Sequence, residues 1–158
     1  MRYPVTRRLV LTGIASTAAA RCTDSALGET TLPTIAVSKD PNCGCCTGWV
    51  EHLHQAGFAV TVQESSDLSA IKSRLGVPER LSACHTAKVN GYVIEGHVPA
   101  DAIKRLIREA PPAKGLAVPG MPMGSLGMEG GTPQEYEVLL FGKEGQRVFA
   151  RYRGTTAL

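Results

Sequence analysis

Three cysteines stand within four residues in the segment Cys43-Gly44-Cys45-Cys46. The segment follows the apolar run Thr34-Ile35-Ala36-Val37, which predicts a buried strand, and it precedes a helical pattern around Trp49. Cys43 and Cys46 have the C-x-x-C spacing of a redox-active dithiol. Cys45 adds a sulfur that a dithiol does not need, and crowded thiols are what a soft metal ion prefers. The fold therefore has to present a reactive thiol loop between a strand and the start of a helix.

The order of predicted elements is β-α-β-(α)-β-β-α, followed by a Gly/Pro/Met-rich loop from about 113 to 133 and a closing β-hairpin. Asn90-Gly91 between two apolar runs is a strong hairpin signal, and Asp67 or Ser66 is a candidate helix cap. This is the element order of thioredoxin, in which a dithiol opens the helix after the first strand. We predict an α/β chain, with a thioredoxin-like fold over 34–112 and a C-terminal loop and β-hairpin extension over 113–158.

The N-terminus has the features of an export signal. Residues 1–26 hold four arginines against one aspartate and so carry the formal net charge of +3. Arg7-Arg8 precede an apolar run that ends in small alanines, as in a signal peptide and in the manner of a twin-arginine signal. The run is shorter than the roughly 20 residues that a membrane span needs. We predict an export signal over 1–26, a linker over 27–33 and no membrane span in the mature chain. Lipidation of Cys22 is disfavoured, because Arg21 stands where the cleavage signal of a lipoprotein requires a small residue.

Several classes of function are disfavoured by composition. The 158 residues suggest one domain with at most a short appendage, and we expect a monomer. Outside residues 1–26 the chain is formally neutral, so it has no basic footprint for nucleic acid or an anionic membrane surface. We find no Gly-rich phosphate loop, no nucleophilic-serine motif and no carboxylate pair at acid–base spacing.

A fourth sulfur and an imidazole are predicted to join the cysteine loop. Cys84-His85 directly precede the third predicted strand, where thioredoxins carry a cis-proline packed against the dithiol. The predicted fold therefore brings Cys84 and His85 to Cys43, Cys45 and Cys46. In an oxidising compartment such thiols persist only when they are disulfide-bonded, metal-bound or kept reduced by a partner.

Three methionines occur within eight residues of the predicted loop, as Met121, Met123 and Met128. Core methionines are usually scattered as gap-fillers, whereas thioether clusters in exported proteins suit Cu(I). Met121 and Met128 are therefore candidate metal ligands. The alternative is a hydrophobic lid over the cysteines, and the loop can serve both purposes.

Copper is the metal that the sulfur pattern favours. Adjacent cysteines at 45 and 46, with Cys43 beside them, are better placed to bridge several ions than to surround one, and Cu(I) accepts bridging thiolate. Zinc is the second choice, since structural zinc sites space their ligands as C-x₂₋₄-C pairs, and an iron–sulfur cluster is third. Two structural disulfides are the remaining alternative. Two disulfides within the same small patch would, however, add little stability through loop closure.

The other histidines have weaker claims. His97 lies just before the third predicted helix, where a capping or surface role is expected. His52 lies on the first helix and is expected to be a satisfied structural residue, with support of the cysteine site as the alternative. His54 is expected to face solvent. Trp49 is expected to be a core residue that shields the sulfurs from water.

Together these residues resemble the CopG-type copper-resistance proteins of Gram-negative bacteria, over about residues 34–152. The shared motifs are Lys39-Asp40-Pro41-Asn42-Cys43-Gly44-Cys45-Cys46, Trp49, His52-Leu53, Gly57-Phe58, Cys84-His85-Thr86-Ala87, Glu95-Gly96-His97-Val98-Pro99-Ala100 and Gly115-Leu116-Ala117-Val118-Pro119-Gly120-Met121-Pro122. The resemblance implies a thioredoxin-like domain whose C-terminal extension helps to bind metal. It also implies a periplasmic location and a polynuclear copper–thiolate cluster on Cys43, Cys45, Cys46 and Cys84.

The functional expectation is a copper oxidoreductase that interconverts Cu(I) and Cu(II) in copper resistance, with Cys43 and Cys46 as the redox pair. The expected partners are copper ions and periplasmic copper efflux or chaperone proteins. A copper chaperone or buffer without redox turnover is the first alternative. A thiol–disulfide exchanger that acts on proteins is the second.

Overall fold

The computed structural model describes residues 31–158. The predicted export signal, most of the predicted linker and Cys22 lie outside this range. The elements are β1 (Ile35–Lys39), α1 (Gly44–Gln55), β2 (Val60–Glu64), α2 (Leu68–Leu75), a 3₁₀ turn (Glu79–Leu81), β3 (His85–Val89), β4 (Tyr92–Glu95), α3 (Ala100–Glu109), β5 (Gly115–Ala117), β6 (Glu135–Gly142), β7 (Gly145–Arg153) and β8 (Thr156–Ala157).

All eight strands form one mixed sheet in the order β2-β1-β3-β4-β5-β6-β7-β8. The β1–β2 and β4–β5 pairs are parallel and the other pairs are antiparallel. The predicted hairpin at Asn90-Gly91 is confirmed: it joins β3 to β4 with φ values of 47° and 85°. Positive φ at both central residues is what a tight two-residue hairpin turn requires. The predicted α/β class is likewise confirmed.

Two strands lie where none was expected. β5 falls inside the segment predicted as loop, and it connects β4 to the long β6–β7 hairpin, so the sheet continues unbroken past residue 112. Gly115 at its start passes so close to β4 that a Cβ there would overlap the carbonyl of Val93. β8 adds a two-residue edge. Both strands are short and are defined by pairing rather than by an alternating pattern.

The two faces of the sheet carry cores of different size. The larger core packs α1 and α3 against one face and includes Ile35, Val37, Trp49, Leu53, Val89, Ile94, Ile103, Leu106 and Leu116. Alternation along the strands sends their other side chains to the opposite face. There a smaller apolar cluster, which includes Val93, Ala117 and Phe141, packs with Leu75 of α2. Among residues 31–158, no helix has the length and apolar character that a membrane crossing requires.

The second helix is capped as expected but buries an unexpected residue. The Asp67 side chain accepts a hydrogen bond from the N–H of Ala70 at 3.0 Å, and Gly76 ends the helix with φ of 71°. The apolar residues of α2, Leu68, Ile71 and Leu75, are only half-buried. The buried side chain of this helix is Lys72, and it pairs with Glu95 of β4.

Candidate metal centre

The cysteine loop opens α1 as predicted. Cys43 is the N-cap residue, in extended conformation and without a side-chain capping bond, and the helix begins at Gly44. Cys43 and Cys46 are joined by a disulfide, whereas Cys45 and Cys84 are free thiols. The Cys45 sulfur lies 3.3 Å from the Cys43 sulfur. A closed dithiol and a free thiol therefore share the first turn of the helix.

Strand pairing brings Cys84 to this turn. β1 and β3 are hydrogen-bonded neighbours, with Lys39 opposite His85, so the residue before β3 meets the loop after β1. The Cys46 sulfur lies 3.8 Å from the carbonyl oxygen of Cys84. The sulfurs of the four cysteines all lie within 4.8 Å of one another. The predicted convergence of the four cysteines is what the fold produces.

Two imidazoles lie against the Cys84 sulfur. His85 Nδ1 lies 3.2 Å from it and His97 Nε2 lies 3.0 Å from it. His97 was expected at the surface or at a helix cap, and this expectation is wrong, because its side chain is fully buried and α3 has no side-chain cap. Gly96, with φ of 71°, turns the chain after β4, where a Cβ would come within 2.5 Å of the Val118 carbonyl. This turn directs His97 inward.

Burial controls the protonation of this group. Burial, reinforced by the nearby Cys45 thiol, raises the pKa of Cys84 to about 12. Burial lowers the pKa of His97, and burial together with the charges of His97 and Lys72 lowers the pKa of His85 well below its usual range. At neutral pH the site therefore holds a protonated thiol between neutral imidazoles. A metal ion that binds here has to displace the proton of the thiol.

Trp49 packs against the imidazole of His85 and is buried, as expected for a core residue. Its side chain is fully buried, and its ring lies 4.3 Å from the ring of His85. The indole N–H donates to the carbonyl of Val98 at 2.9 Å, which ties α1 to the segment that enters α3.

The loop between β5 and β6 docks on the first turn of α1. The His97 Nδ1 atom lies 2.6 Å from the Leu126 carbonyl oxygen. Glu129 accepts from the Gly127 N–H at 2.8 Å and pairs with His52 Nε2 at 2.5 Å. His52 is therefore hydrogen-bonded, as expected of a structural residue, and its partner Glu129 belongs to the loop. His54 is exposed as predicted.

The methionines of this loop differ in exposure. Met121 is 53% exposed and Met123 is 37% exposed, whereas Met128 is half-buried. Met128 directly follows Gly127, whose backbone lies against the Cys45 carbonyl. Ligation by Met121 and Met128 stays a prediction, and position favours Met128.

Substituting Gly127 with alanine is expected to release the loop from the helix. A Cβ there would overlap the Cys45 carbonyl oxygen and come within 2.7 Å of the Trp49 nitrogen. Gly120→Ala is the matched control, because Gly120 also has positive φ but has nothing within 4 Å of a Cβ. We expect Gly127→Ala to lose more unfolding free energy than the control, by about 1–3 kcal/mol, in thermal or urea denaturation. Equal losses in the two variants would mean that the loop does not pack on α1.

A buried ion pair fixes the backbone beside Cys84. Lys72 Nζ lies 2.5 Å from Glu95 Oε1, with side-chain exposures of 8% and 0%. The Ala83 N–H donates to the same carboxylate oxygen at 2.7 Å, and Lys72 donates to the Ala83 carbonyl and to Ser82 Oγ. Both polar backbone groups of Ala83 are thus held by one ion pair. The sequence pattern gave no indication of this pair.

The donor atoms fit a soft or borderline metal ion. Four sulfurs form one group, and Cys84, His85 and His97 form a second group within 4.8 Å. His85 Nε2 is buried and has no hydrogen-bond partner, which is unusual for a buried polar atom unless it serves a function. Thiolate and imidazole are ligands for copper and zinc rather than for magnesium or calcium. The site can therefore hold metal.

Two solved structures resemble this chain over nearly their full length. Both are named copper resistance protein CopG, in forms 1 and 2. Their sequences are 47% and 48% identical to this chain, and they superpose on it with TM-scores of 0.73 and 0.72. The matches cover 78% and 77% of this chain and 99% and 98% of the two CopG chains. The chain belongs to the CopG family of copper-resistance proteins. The resemblance predicted from the motifs is confirmed.

Two further comparisons bear on the CopG assignment. The family model described as "Protein of unknown function, DUF411" matches residues 81–128, a stretch that holds Cys84, His85, His97 and the docking loop. No curated protein sequence matches the chain. The similarity to CopG structures and the sulfur group together support a link to copper resistance and a cysteine site able to bind metal.

Proposed function

We propose that this CopG-family protein is a periplasmic copper-binding oxidoreductase that interconverts Cu(I) and Cu(II) at a cysteine-bridged, polynuclear copper site. In this proposal Cys43, Cys45, Cys46 and Cys84 supply bridging thiolates. His85, Met121 and Met128 are the further candidate ligands. Copper ions are the substrate, and copper efflux or chaperone proteins of the same compartment are the expected partners.

The observation that carries the proposal is a disulfide inside the metal-binding group. The Cys43–Cys46 disulfide shares its 4.8 Å group with the thiols of Cys45 and Cys84. Closing a disulfide from two thiols releases two electrons and two protons, so one closure balances the reduction of two Cu(II) to two Cu(I). Opening the disulfide takes up two electrons and two protons and balances the reverse reaction. After the protein has reduced Cu(II), a dithiol reductant reduces the Cys43–Cys46 disulfide and so restores the two thiols.

We infer a thioredoxin-like core from the arrangement of the first four strands. Their order is β2-β1-β3-β4, with β1 parallel to β2 and antiparallel to β3. α1, which begins at the dithiol, and α3 pack on the same face of this sheet. Strands β5 to β8 extend the sheet, and the loop between β5 and β6 brings the C-terminal extension to the dithiol.

A periplasmic location is supported by two observations. The N-terminal residues have the charge and apolar pattern of an export signal. The disulfide belongs to a class of bond that persists in oxidising compartments. Fractionation of cells that express the full-length chain tests the location, and recovery in the cytoplasm would contradict it.

The redox proposal predicts a fixed stoichiometry. Fully reduced protein, freed of reductant under anaerobic conditions, is given Cu(II), and the loss of the Cu(II) electron paramagnetic resonance signal is measured beside the loss of thiols. We expect two Cu(II) reduced per Cys43–Cys46 disulfide formed. Cys45→Ser keeps the dithiol but removes the bridging sulfur between it and Cys84, so we expect it to slow the reduction and to lower copper retention.

The alternatives give different results in the same experiment. Tight, stoichiometric Cu(I) binding with no change of copper valence would favour a chaperone or buffer. Reduction of a model protein disulfide without copper would favour a thiol–disulfide exchanger. Unaltered turnover in Cys45→Ser with an intact site would remove the role of the third thiol.

A further inference from the structure

We propose that the groove between α2 and strands β2, β1 and β3, called the α2 groove here, binds a small organic carboxylate with a short aliphatic chain. The α2 groove lies on the face of the sheet opposite the larger core, so it is separate from the candidate metal centre. Its volume is about 430 Å³, which is within the range of small-molecule sites. The proposal does not depend on the copper chemistry proposed above.

The floor of the α2 groove consists of small and polar side chains. Alternation along the strands sends these side chains away from the larger core. Strand pairing arranges them in two rows: Thr61, Ala36 and Lys88 in one, and Gln63, Ser38 and Thr86 in the other. The middle strand of the three, β1, contributes only Ala36 and Ser38 to this face. Their short side chains leave room for a ligand beside α2.

Cations line the α2 groove and acidic residues do not. Arg74 of α2 and Lys88 of β3 both line it, with no aspartate or glutamate among the lining residues. Neither cation forms an ion pair with another residue in the range 31–158. The carboxylate of Glu95, which lies opposite Thr86 in the strand pairing, is already paired with Lys72. The α2 groove is therefore positive and attracts anions.

Thr86 supplies a buried hydroxyl without a partner. The residue is fully buried, and its Oγ1 atom has no hydrogen-bond partner among the described residues. Thr86 lines the α2 groove, and it shares a sheet face with Lys88 two residues further along β3. Buried polar atoms are nearly always paired in native proteins. A hydroxyl next to unpaired cations therefore points to an acceptor supplied by a ligand, and a carboxylate accepts from all of these groups.

The wall formed by α2 is apolar and favours an aliphatic chain over an inorganic anion. Ile71 and Leu75 lie three and four residues from each other's neighbour Arg74 or from one another along the helix, so the three side chains share one face. Both apolar residues line the α2 groove and are only half-buried. Each methylene that a ligand buries completely strengthens binding by about fourfold. A carboxylate held by the cations and an aliphatic chain on this wall together match the lining.

NMR titration tests the site without metal. The metal-free, isotope-labelled full-length protein is titrated with hexanoate, acetate or hexylammonium at constant ionic strength. We expect saturable amide shifts in α2, β1 and β3 with hexanoate, and binding of acetate that is weaker by about 10-fold or more because it lacks the aliphatic chain. Hexylammonium should not bind. Equal affinities for hexanoate and hexylammonium, or hexanoate shifts confined to other elements, would overturn the proposal.

A further titration separates a free small acid from an acidic segment of a protein. A blocked tetraglutamate peptide presents carboxylates on a polar backbone and is expected to bind more weakly than hexanoate at equal carboxylate concentration. Tighter binding of the peptide would reject the small acid as the ligand.

Two arginines give a matched pair of variants, since each is exposed and lies in the last turn of a helix. Arg74→Gln is expected to weaken hexanoate binding by about 10-fold through the loss of a charged hydrogen-bond donor. Arg108→Gln on α3, outside the α2 groove, should leave hexanoate binding unchanged. Equal affinities in the two variants would contradict the assigned site.

Thr86→Val tests the hydroxyl with little change of shape. Because Oγ1 has no partner in the described structure, thermal unfolding should show no loss of stability, while hexanoate binding weakens by about fivefold. A loss of stability with unchanged hexanoate affinity would assign Thr86 to the fold and remove it from the site.

Discussion

Cys84→Ser is expected to lower the Cu(I) affinity of the reduced protein by about 100-fold or more, since losing a metal ligand costs more than the 10- to 100-fold that a lost outer partner costs. Cys84 is shared by the four-cysteine group and by the group with His85 and His97. Its removal therefore separates the loop thiols from the imidazoles. Competition with a chromophoric Cu(I) chelator measures both affinity and stoichiometry.

The control for this variant is Cys22→Ser, in the predicted export signal. We expect it to bind Cu(I) as tightly as the unaltered chain. Thermal unfolding of the metal-free proteins separates ligation from folding, because a Cys-to-Ser change at a partly exposed position is expected to shift stability little. Unchanged affinity and stoichiometry in Cys84→Ser would remove the fourth cysteine from the proposed copper site.

Lys72→Met is expected to destabilise the protein by about 3–5 kcal/mol, because it leaves the buried Glu95 carboxylate without its partner. Glu95 is fully buried, and its Oε2 atom already lacks a hydrogen-bond partner. Without Lys72, the Ala83 N–H is the one group among the described residues that still hydrogen-bonds the carboxylate. Urea denaturation at neutral pH measures the loss. A loss below about 1 kcal/mol would be the value of an exposed pair and would contradict the burial of this one.

The double variant Lys72→Met/Glu95→Gln isolates the charge. Glutamine retains an oxygen that accepts from the Ala83 N–H, while the uncompensated charge is gone. We expect it to recover a large part of the lost stability, as neutral replacements of buried ion pairs often do. The same cycle of variants, titrated with Cu(I), shows whether the backbone before Cys84 has to be pinned for metal to bind.

Features determined by neighbouring residues were predictable from the sequence. Asn90-Gly91 supplies two positive φ angles, and Asp67 supplies a side-chain cap. Each operates within a few residues. The position of the cysteine loop between β1 and α1 follows from the same kind of local signal.

Convergence of the four cysteines was predictable only through topology. Cys84 joins the others because β3 is a neighbour of β1 in the sheet, which the predicted element order implied. His97 was missed because its position depends on the Gly96 turn and on the Leu126 carbonyl from a loop 29 residues away. A glycine directly before a histidine was the only local hint of an inward turn.

β5 and the ion pair of Lys72 could not be predicted from neighbouring residues, because both depend on contacts with distant parts of the chain. β5 has three residues, all buried, so it shows no alternation, and it exists because β4 and β6 flank it. Lys72 lies on a short helix where a lysine normally faces water. Only the placement of Glu95 on the adjoining strand, across 23 residues of sequence, makes its burial acceptable.

The pairing of β1 with β3 also links metal binding to folding. An unfolded chain keeps Cys43, Cys45 and Cys46 together by sequence, but Cys84 lies 38 residues beyond Cys46 and meets them only when the sheet has formed. An ion bound by all four sulfurs therefore binds the native state in preference to the unfolded ensemble. By mass action such an ion adds about 2.7 kcal/mol of stability at a free concentration one hundred times its dissociation constant. Chelation and unfolding are thus two readouts of one equilibrium.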